Sequence, residues 1–327
     1  MGCPVGIGPE IILRHAAARD PWALPIPVII GDLGVLRRCA EELAIGVECQ
    51  AWLPGAPLPA KALPVVELSH LNPERLQWGR PDLDTAHAMV SYIRETVALI
   101  RKGVLDGMAT CPISKAALQA AGYLYPGHTE MLAELTGTRH YAMMMAGSRL
   151  RVTLVTIHCP LSQVTARLTE EAIIDLIRIT DRSLRTDFAL PRPRIAVAGL
   201  NPHAGENGMF GDEETNLIQP AINQALKDGM TVEGPFPPDT IFFKAAAGLY
   251  DAVICMYHDQ GLIPFKLLHF SDGVNVTIGL SIVRTSVDHG TAYDIAGKGI
   301  ADAGSLTAAV NLAATISANR KRSENRT

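Results

Sequence analysis

Apolar residues fall along this chain in two alternating patterns. Short apolar runs at 25–32, 47–52, 105–110, 149–156, 194–200 and 250–256 read as strands, and a further strand-like stretch lies at 231–236. Between them, segments at 11–18, 33–43, 84–102, 169–188 and 303–316 carry apolar residues at helical spacing. The clearest of these runs from Asp84 to Lys102: Val90, Ile93, Val97 and Ile100 fall on one face, and Gly103 closes it. Prolines between 54 and 64 mark a surface connection. There is no internal repeat, low-complexity tract or long disordered linker. Strands alternating with helices predict an α/β fold.

At 327 residues, two domains or one large α/β unit with a cleft are expected. A hydrophobic content of 48% with only 5% aromatic residues points to a core of aliphatic side chains and alanine. The formal net charge of −4 gives no basic excess, so nucleic acid is not an expected partner. The one basic cluster, Arg320-Lys321-Arg322, reads as a frayed terminus. Six cysteines without a CxxC pair argue for reduced thiols in a cytoplasmic protein. No apolar run reaches membrane-spanning length, and the first residues lack a signal-peptide pattern.

Candidate chemistry concentrates between Cys255 and Gly299. His258-Asp-Gln-Gly261 reads as a turn at the carboxyl end of a buried strand, where open α/β sheets place ligands. A plain surface turn would explain that segment alone. Lys266, Asn275 and Arg284 follow at short intervals, however, and together suit a phosphate or carboxylate. His158 and His203 also lie just past strands, so three imidazoles are available to converge. With no local motif such as HExxH, the residues alone leave a metal site open. Tyr125-Pro-Gly127-His128-Thr129-Glu130 forces a turn before a helix, and Thr129 either caps that helix or meets a ligand. Lys115, past another strand, holds an anion or caps a neighbouring helix. Asp239 caps a helix or lines the site, and His87 reads as solvated or packing. Gly6, Gly8 and Pro9 open the first helix in a form that lets N–H groups approach an anion, or the two glycines serve only a tight turn.

Tyr257-His-Asp-Gln-Gly261, Gly273-Val-Asn275 and Arg284-Thr-Ser-Val-Asp-His-Gly-Thr-Ala292 resemble the 4-hydroxythreonine-4-phosphate dehydrogenase family of pyridoxal phosphate biosynthesis. His289 to Gly299 is similar, more distantly, to the adenine-side loop of isopropylmalate and isocitrate dehydrogenases. The resemblance spans Gly6 to about Ala313. It implies a two-domain isocitrate/isopropylmalate dehydrogenase-like α/β fold with the active-site cleft between domains. Residues 1–125 plus 270–327 would form the nucleotide side, and 126–269 the metal, substrate and dimerisation side. It also implies one divalent metal (zinc, magnesium or cobalt) on His158, His203 and His258, one ligand coming from the partner subunit of a homodimer. His128, Thr129, Lys266, Asn275 and Arg284 would bind substrate. NAD or NADP would lie on His289, Gly290, Thr291, Asp294 and Gly297, since no GxGxxG follows a first strand. Asp239 and Lys266 are candidates for the catalytic base, and Asp259 for orienting a ligand histidine.

The implied reaction is metal-dependent oxidation of 4-phosphooxy-L-threonine to a 3-oxo acid, which decarboxylates to 3-amino-2-oxopropyl phosphate. A sister branch acting on 4-phospho-D-threonate or D-erythronate is the nearest alternative. A cis-dihydrodiol dehydrogenase matches less well around His128 and Thr129, and a phosphotransacetylase-like transferase would not need the three histidines. One departure stands out: relatives read Gly-Asp-Pro-Ala-Gly-Ile-Gly-Pro-Glu after a strand, whereas Cys3 and Val5 replace Asp and Ala here. That change motivates a rival of another class, a metal- and phosphate-binding protein without redox activity. It also suggests either a late start at Met1 or a site that has lost one edge.

Overall fold

Capping side chains and buried apolar faces set most of the elements. In chain order the computed structural model runs α1 (Gly8–Ala17), β1 (Ile29–Gly31), α2 (Leu33–Glu42), β2 (Cys49–Ala51), β3 (Leu63–Glu67) and α3 (Leu83–Arg101). Next come β4 (Met108–Thr110), α4 (Lys115–Ala120), α5 (His128–Thr136), β5 (Ala142–Ala146), β6 (Arg151–Leu154), α6 (Val164–Arg167) and α7 (Glu170–Thr186). Then follow β7 (Arg194–Ala198), α8 (Gln219–Lys227), β8 (Thr231–Phe236), α9 (Pro238–Ala246), β9 (Ala252–Cys255) and α10 (His258–Leu268). β10 (Val274–Ile278), β11 (Arg284–Val287) and α11 (Gly304–Glu324) complete the chain. The structure describes residues 1–20, 23–125 and 127–325.

The chain divides into two compact units, Met1–Thr138 with Ser281–Ala314, and Arg139–Leu280 with Thr315–Thr327. In the first unit, β1, β3 and β2 form a parallel sheet in that order, and β4 pairs in parallel with β11. Ile11, Leu13, Leu36 and Val65 anchor its core. α3 begins on a reciprocal cap: Asp82 accepts from the Thr85 N–H at 2.9 Å, and the Thr85 hydroxyl accepts from the Asp82 N–H at 2.8 Å.

In the second unit the strands run β10-β5-β6-β9-β7-β8. β10, β5 and β6 pair antiparallel, while β6, β9, β7 and β8 are parallel. The carboxyl ends of β6, β9 and β7 therefore lie along one edge of the sheet. Phe265, Val253, Ile241 and Leu262 fill the core beside them. Thr169 caps α7, accepting from the Ala172 N–H at 3.1 Å.

Four local expectations are corrected here. His258-Asp-Gln-Gly261 is the first turn of α10, with Pro264 inside the helix, and not a free turn. Gly261 is needed for contact: a Cβ there would sit 2.8 Å from Leu154 Cδ2 and 3.0 Å from Cys255 Sγ. Thr129 does not cap α5, whose N-cap is Gly127 without a side-chain bond; Pro126, expected to force that turn, lies outside the described residues. Asp239 makes no cap either, since α9 starts behind Pro237. Nor is Arg320 frayed: its Nε and Nη2 donate to the buried Asp187 carboxylate at 2.7 and 3.1 Å. β3 and β5 were not anticipated. The Ala-Met-Met-Met-Ala sequence of β5 lacks β-branched residues, and β3 begins inside the stretch expected to be a proline-rich surface connection, with Pro64 a buried strand residue.

Candidate functional site

On the first unit the candidate residues form a cationic cluster. Arg284 lies on β11 with only 4% of its surface exposed, and its Nη2 donates to Thr110 Oγ1 at 2.9 Å. Burial lowers its pKa to about 10, partly offset by Glu130. His128, half-buried at the start of α5, has its pKa pulled well below 6.5, first by burial and then by the charges of Arg284, the N-terminal amine and Lys115. It is a neutral imidazole among cations. Lys115 opens α4 behind the Ser114 cap, and its Nζ would lie 3.9 Å from a Cβ placed on Gly127. Such a cluster has the charge to attract an anion.

The glycine-rich loop of the same unit is held in place. Ile7 N–H donates to Thr291 O at 3.2 Å, and the Ala301 N–H donates to Glu10 Oε1 at 2.8 Å. Arg14 donates to Gly299 O. Gly297 has φ +73, and a Cβ there would meet the Trp78 ring, so close packing already requires glycine at that position. Asp294 is exposed, and His289 Nε2 is buried without a hydrogen-bond partner. Cys3, in place of the acid, meets the Tyr293 hydroxyl at 3.3 Å.

On the second unit the three histidines follow β6, β7 and β9 at the shared strand edge. The rings of His158 and His258 are 5.8 Å apart between centroids. Asp259 Oδ1 accepts from His258 Nδ1 at 2.7 Å, which leaves Nε2 for a ligand and fixes the tautomer. His203 is exposed and begins an unusual turn. His203, Ala204, Gly205, Glu206 and Asn207 all have positive φ, between 43° and 80°, so the segment is left-handed. Each non-glycine residue in that conformation costs roughly 1–2 kcal/mol, and such outliers cluster at functional sites. Among the described residues, no group of three or more His, Cys, Asp or Glu side chains gathers within the chain. Two neighbouring imidazoles, one backed by a carboxylate, are donors of a type that fits a divalent metal.

The same unit carries Lys266 on α10 and Asn275 on β10. Asn275 Oδ1 is buried and accepts no hydrogen bond from the described residues, so it is available to a donor such as an ammonium or hydroxyl group. Asp239 is exposed on α9. No helix among the described residues is long and apolar enough to cross a membrane.

Residues 23–313 match the family model described as pyridoxal phosphate biosynthetic protein PdxA. The chain belongs to this family. A 4-hydroxythreonine-4-phosphate dehydrogenase of Desulforapulum autotrophicum is 52% identical over 318 residues, covering 96% of this chain and 93% of its own. A protein of Oceanobacillus iheyensis, provisionally named a D-threonate 4-phosphate dehydrogenase, is 42% identical over 96% of this chain and 95% of its own. A crystal structure of 4-hydroxythreonine-4-phosphate dehydrogenase from Klebsiella pneumoniae superposes with a TM-score of 0.89 at 42% identity, covering 97% of this chain and 98% of that one. The family is thus matched in both sequence and fold.

The structure places His128 near Arg284 and His158 beside His258. It does not gather His203 with that pair into a three-donor set within the described chain. Sequence reasoning left Lys115 undecided and passed over Thr110 and Glu130. Ser114-Lys115 past β4 was the available signal for Lys115. Glu130 stood in the Gly127-His-Thr-Glu130 segment without a role, which comes from the approach of α5 to Arg284, and Thr110 carried no signal because its bond depends on the pairing of β4 with β11.

Proposed function

We propose that the protein oxidises the secondary alcohol of 4-hydroxythreonine 4-phosphate, giving a 3-oxo acid that decarboxylates to 3-amino-2-oxopropyl phosphate. The observation that carries the reading is the cationic cluster of Arg284, Lys115 and neutral His128 within the family's Gly-His-Thr-Glu and Arg-Thr-Ser segments. Arg284, His128, Thr129 and Lys115 hold one anionic end of the substrate, and Lys266 contributes to the other. Asn275 Oδ1 accepts from the substrate's donor groups. This remote binding positions the reacting C–H bond. Asp239 receives the hydroxyl proton, or Lys266 does so as the neutral amine in place of binding the anion; the exposed Asp239 carboxylate has no capping duty to give up.

His158, His203 and His258 are the residues that would hold a zinc, magnesium or cobalt ion, with the set completed by a second copy of the chain. His289, Gly290, Thr291, Asp294 and Gly297 would hold NAD or NADP. When bound, the metal supplies Lewis-acid polarisation of the hydroxyl and the nicotinamide accepts the hydride. The first unit then serves as the nucleotide side and the second as the metal side of an isocitrate/isopropylmalate dehydrogenase-like plan. Six free thiols suit a cytoplasmic enzyme.

The second reading, a D-threonate 4-phosphate dehydrogenase, has support from the 42% identical Oceanobacillus relative. NADH formation with added divalent metal separates the two. Faster turnover of 4-phosphooxy-L-threonine supports the first, and preference for 4-phospho-D-threonate replaces it with the second. Inertness toward both, with metal present, sinks the dehydrogenase reading.

A further inference from the structure

We propose, on the divalent-metal reading given above, that Gln260 and Glu214 are positioning residues for the cation site, fixing the strand ends from which His158, His203 and His258 project. Gln260 is 7% exposed and sits in the first turn of α10. Its Oε1 accepts from the Met256 N–H at 2.7 Å, and its Nε2 donates to Gly199 O at 2.7 Å. One side-chain amide therefore joins the end of β9 to the end of β7. The end of β6 reaches the same residue: Thr156 donates to Met256 O through its hydroxyl at 2.8 Å and its N–H at 3.2 Å. Met256 is thus tied on both sides, by its N–H to Gln260 and by its carbonyl to Thr156.

Glu214 extends this chain of bonds toward His203. It is 5% exposed, and its Oε1 accepts from the N–H groups of Leu200 and Asn201, both at 2.7 Å. Its Oε2 accepts from Asn201 Nδ2 at 3.0 Å. The carboxylate so holds the two residues that lead into the left-handed turn. It rises from a π-helical turn, Glu214–Ile218, a form that occurs often at functional sites. Each histidine is separated by one residue from a tied group: His158 from Thr156, His258 from Met256 and Gln260, and His203 from Asn201.

Packing alone does not account for a glutamine and a glutamate at these positions. An unpaired buried amide or carboxylate is costly, and an aliphatic residue would fill the same space without that penalty. Here all but one of the bonds land on backbone of the segments that lead into the histidines, the exception being that from Asn201 Nδ2, and a satisfied buried network rigidifies what it touches. Metal ligands tolerate placement errors of only about 0.5 Å. The ties act within each copy, so they set the ligand positions whether the donors come from one chain or two.

The test uses the purified full chain with Co(II) as probe, followed by visible absorption and calorimetry, with thermal melting of the metal-free protein alongside. Gln260→Met keeps the length of the side chain and removes both bonds. It is expected to weaken Co(II) binding by roughly 10- to 100-fold and to shift the absorption bands. Thr180→Val, which removes the buried contact of Thr180 Oγ1 with Thr153 Oγ1 at 3.3 Å, is the stability control and leaves both unchanged. Glu214→Gln retains an oxygen for Leu200 and Asn201 but turns an amide toward Asn201 Nδ2; it gives a smaller loss and serves if Gln260→Met does not fold. Wild-type affinity and bands in the variants overturn the proposal, as does a loss that only tracks melting temperature across all three. Wild-type protein that binds no Co(II), or that binds it equally after His258→Ala, overturns the metal reading and the positioning role together.

Discussion

The two units secure their functional groups in opposite ways. The first buries the charge itself: Arg284 is 4% exposed and answers to the Thr110 hydroxyl and the Glu130 charge. The second leaves its histidines accessible and buries the ties beneath them, in Gln260, Glu214 and Thr156. On the proposed function, the difference follows from what each would meet. A cation that grips an anion gains from low dielectric, where attraction is strongest. Imidazoles that take a metal need open lone pairs, so their precision has to come from the backbone below.

Removing the buried charge should break the contrast most severely. Arg284→Met is expected to cut kcat/KM for the phosphorylated substrate by roughly 100- to 1000-fold, while the melting temperature holds or rises because a buried cation is gone. An equal loss with a substrate lacking the phosphate would contradict the assigned role. On the other unit, Gly205→Ala puts a Cβ 2.7 Å from Glu214 Oε2 at a residue with φ +80. A cost of roughly 1–2 kcal/mol is expected, seen as a melting temperature lower by a few degrees together with weaker Co(II) binding. Unchanged metal affinity would show that the turn does not govern His203.

The smallest effect concerns His128 and pH. Its folded pKa is depressed below 6.5, so as pH falls the unfolded chain takes up a proton before the folded one does. The stabilising contribution is therefore full above 6.5 and is lost as pH falls from there toward the depressed folded value. In metal-free protein, His128→Gln should melt with a shallower decline between pH 7 and 5 than the wild type. Parallel declines would show that His128 titrates as an ordinary surface residue.

Much of this was legible before any coordinates. α3 showed itself through Val90, Ile93 and Val97, which are buried, and through the Gly103 stop, which has φ +71. The three histidines were visible as strand-end residues because the strands before them are apolar. What stayed hidden depended on neighbours distant in sequence. Gly261 signals a turn in isolation, yet it serves the seating of α10 on Leu154 and Cys255. Gln260 looked like part of a loop motif, and only the approach of Gly199 gives its amide a purpose. The Thr129 misreading was local instead: the helix starts two residues earlier than a Thr129 cap requires, with Gly127 in the cap position.

The left-handed run from His203 to Asn207 has a consequence for anyone redesigning this protein. Hydropathy and helix scales are the wrong guide to it. At Ala204, φ 53, and Glu206, φ 43, asparagine or glycine is the conservative exchange, although helix propensity ranks it as a loss at both. Valine or isoleucine, welcome in the adjoining strand β7, would be shut out by their branched Cβ.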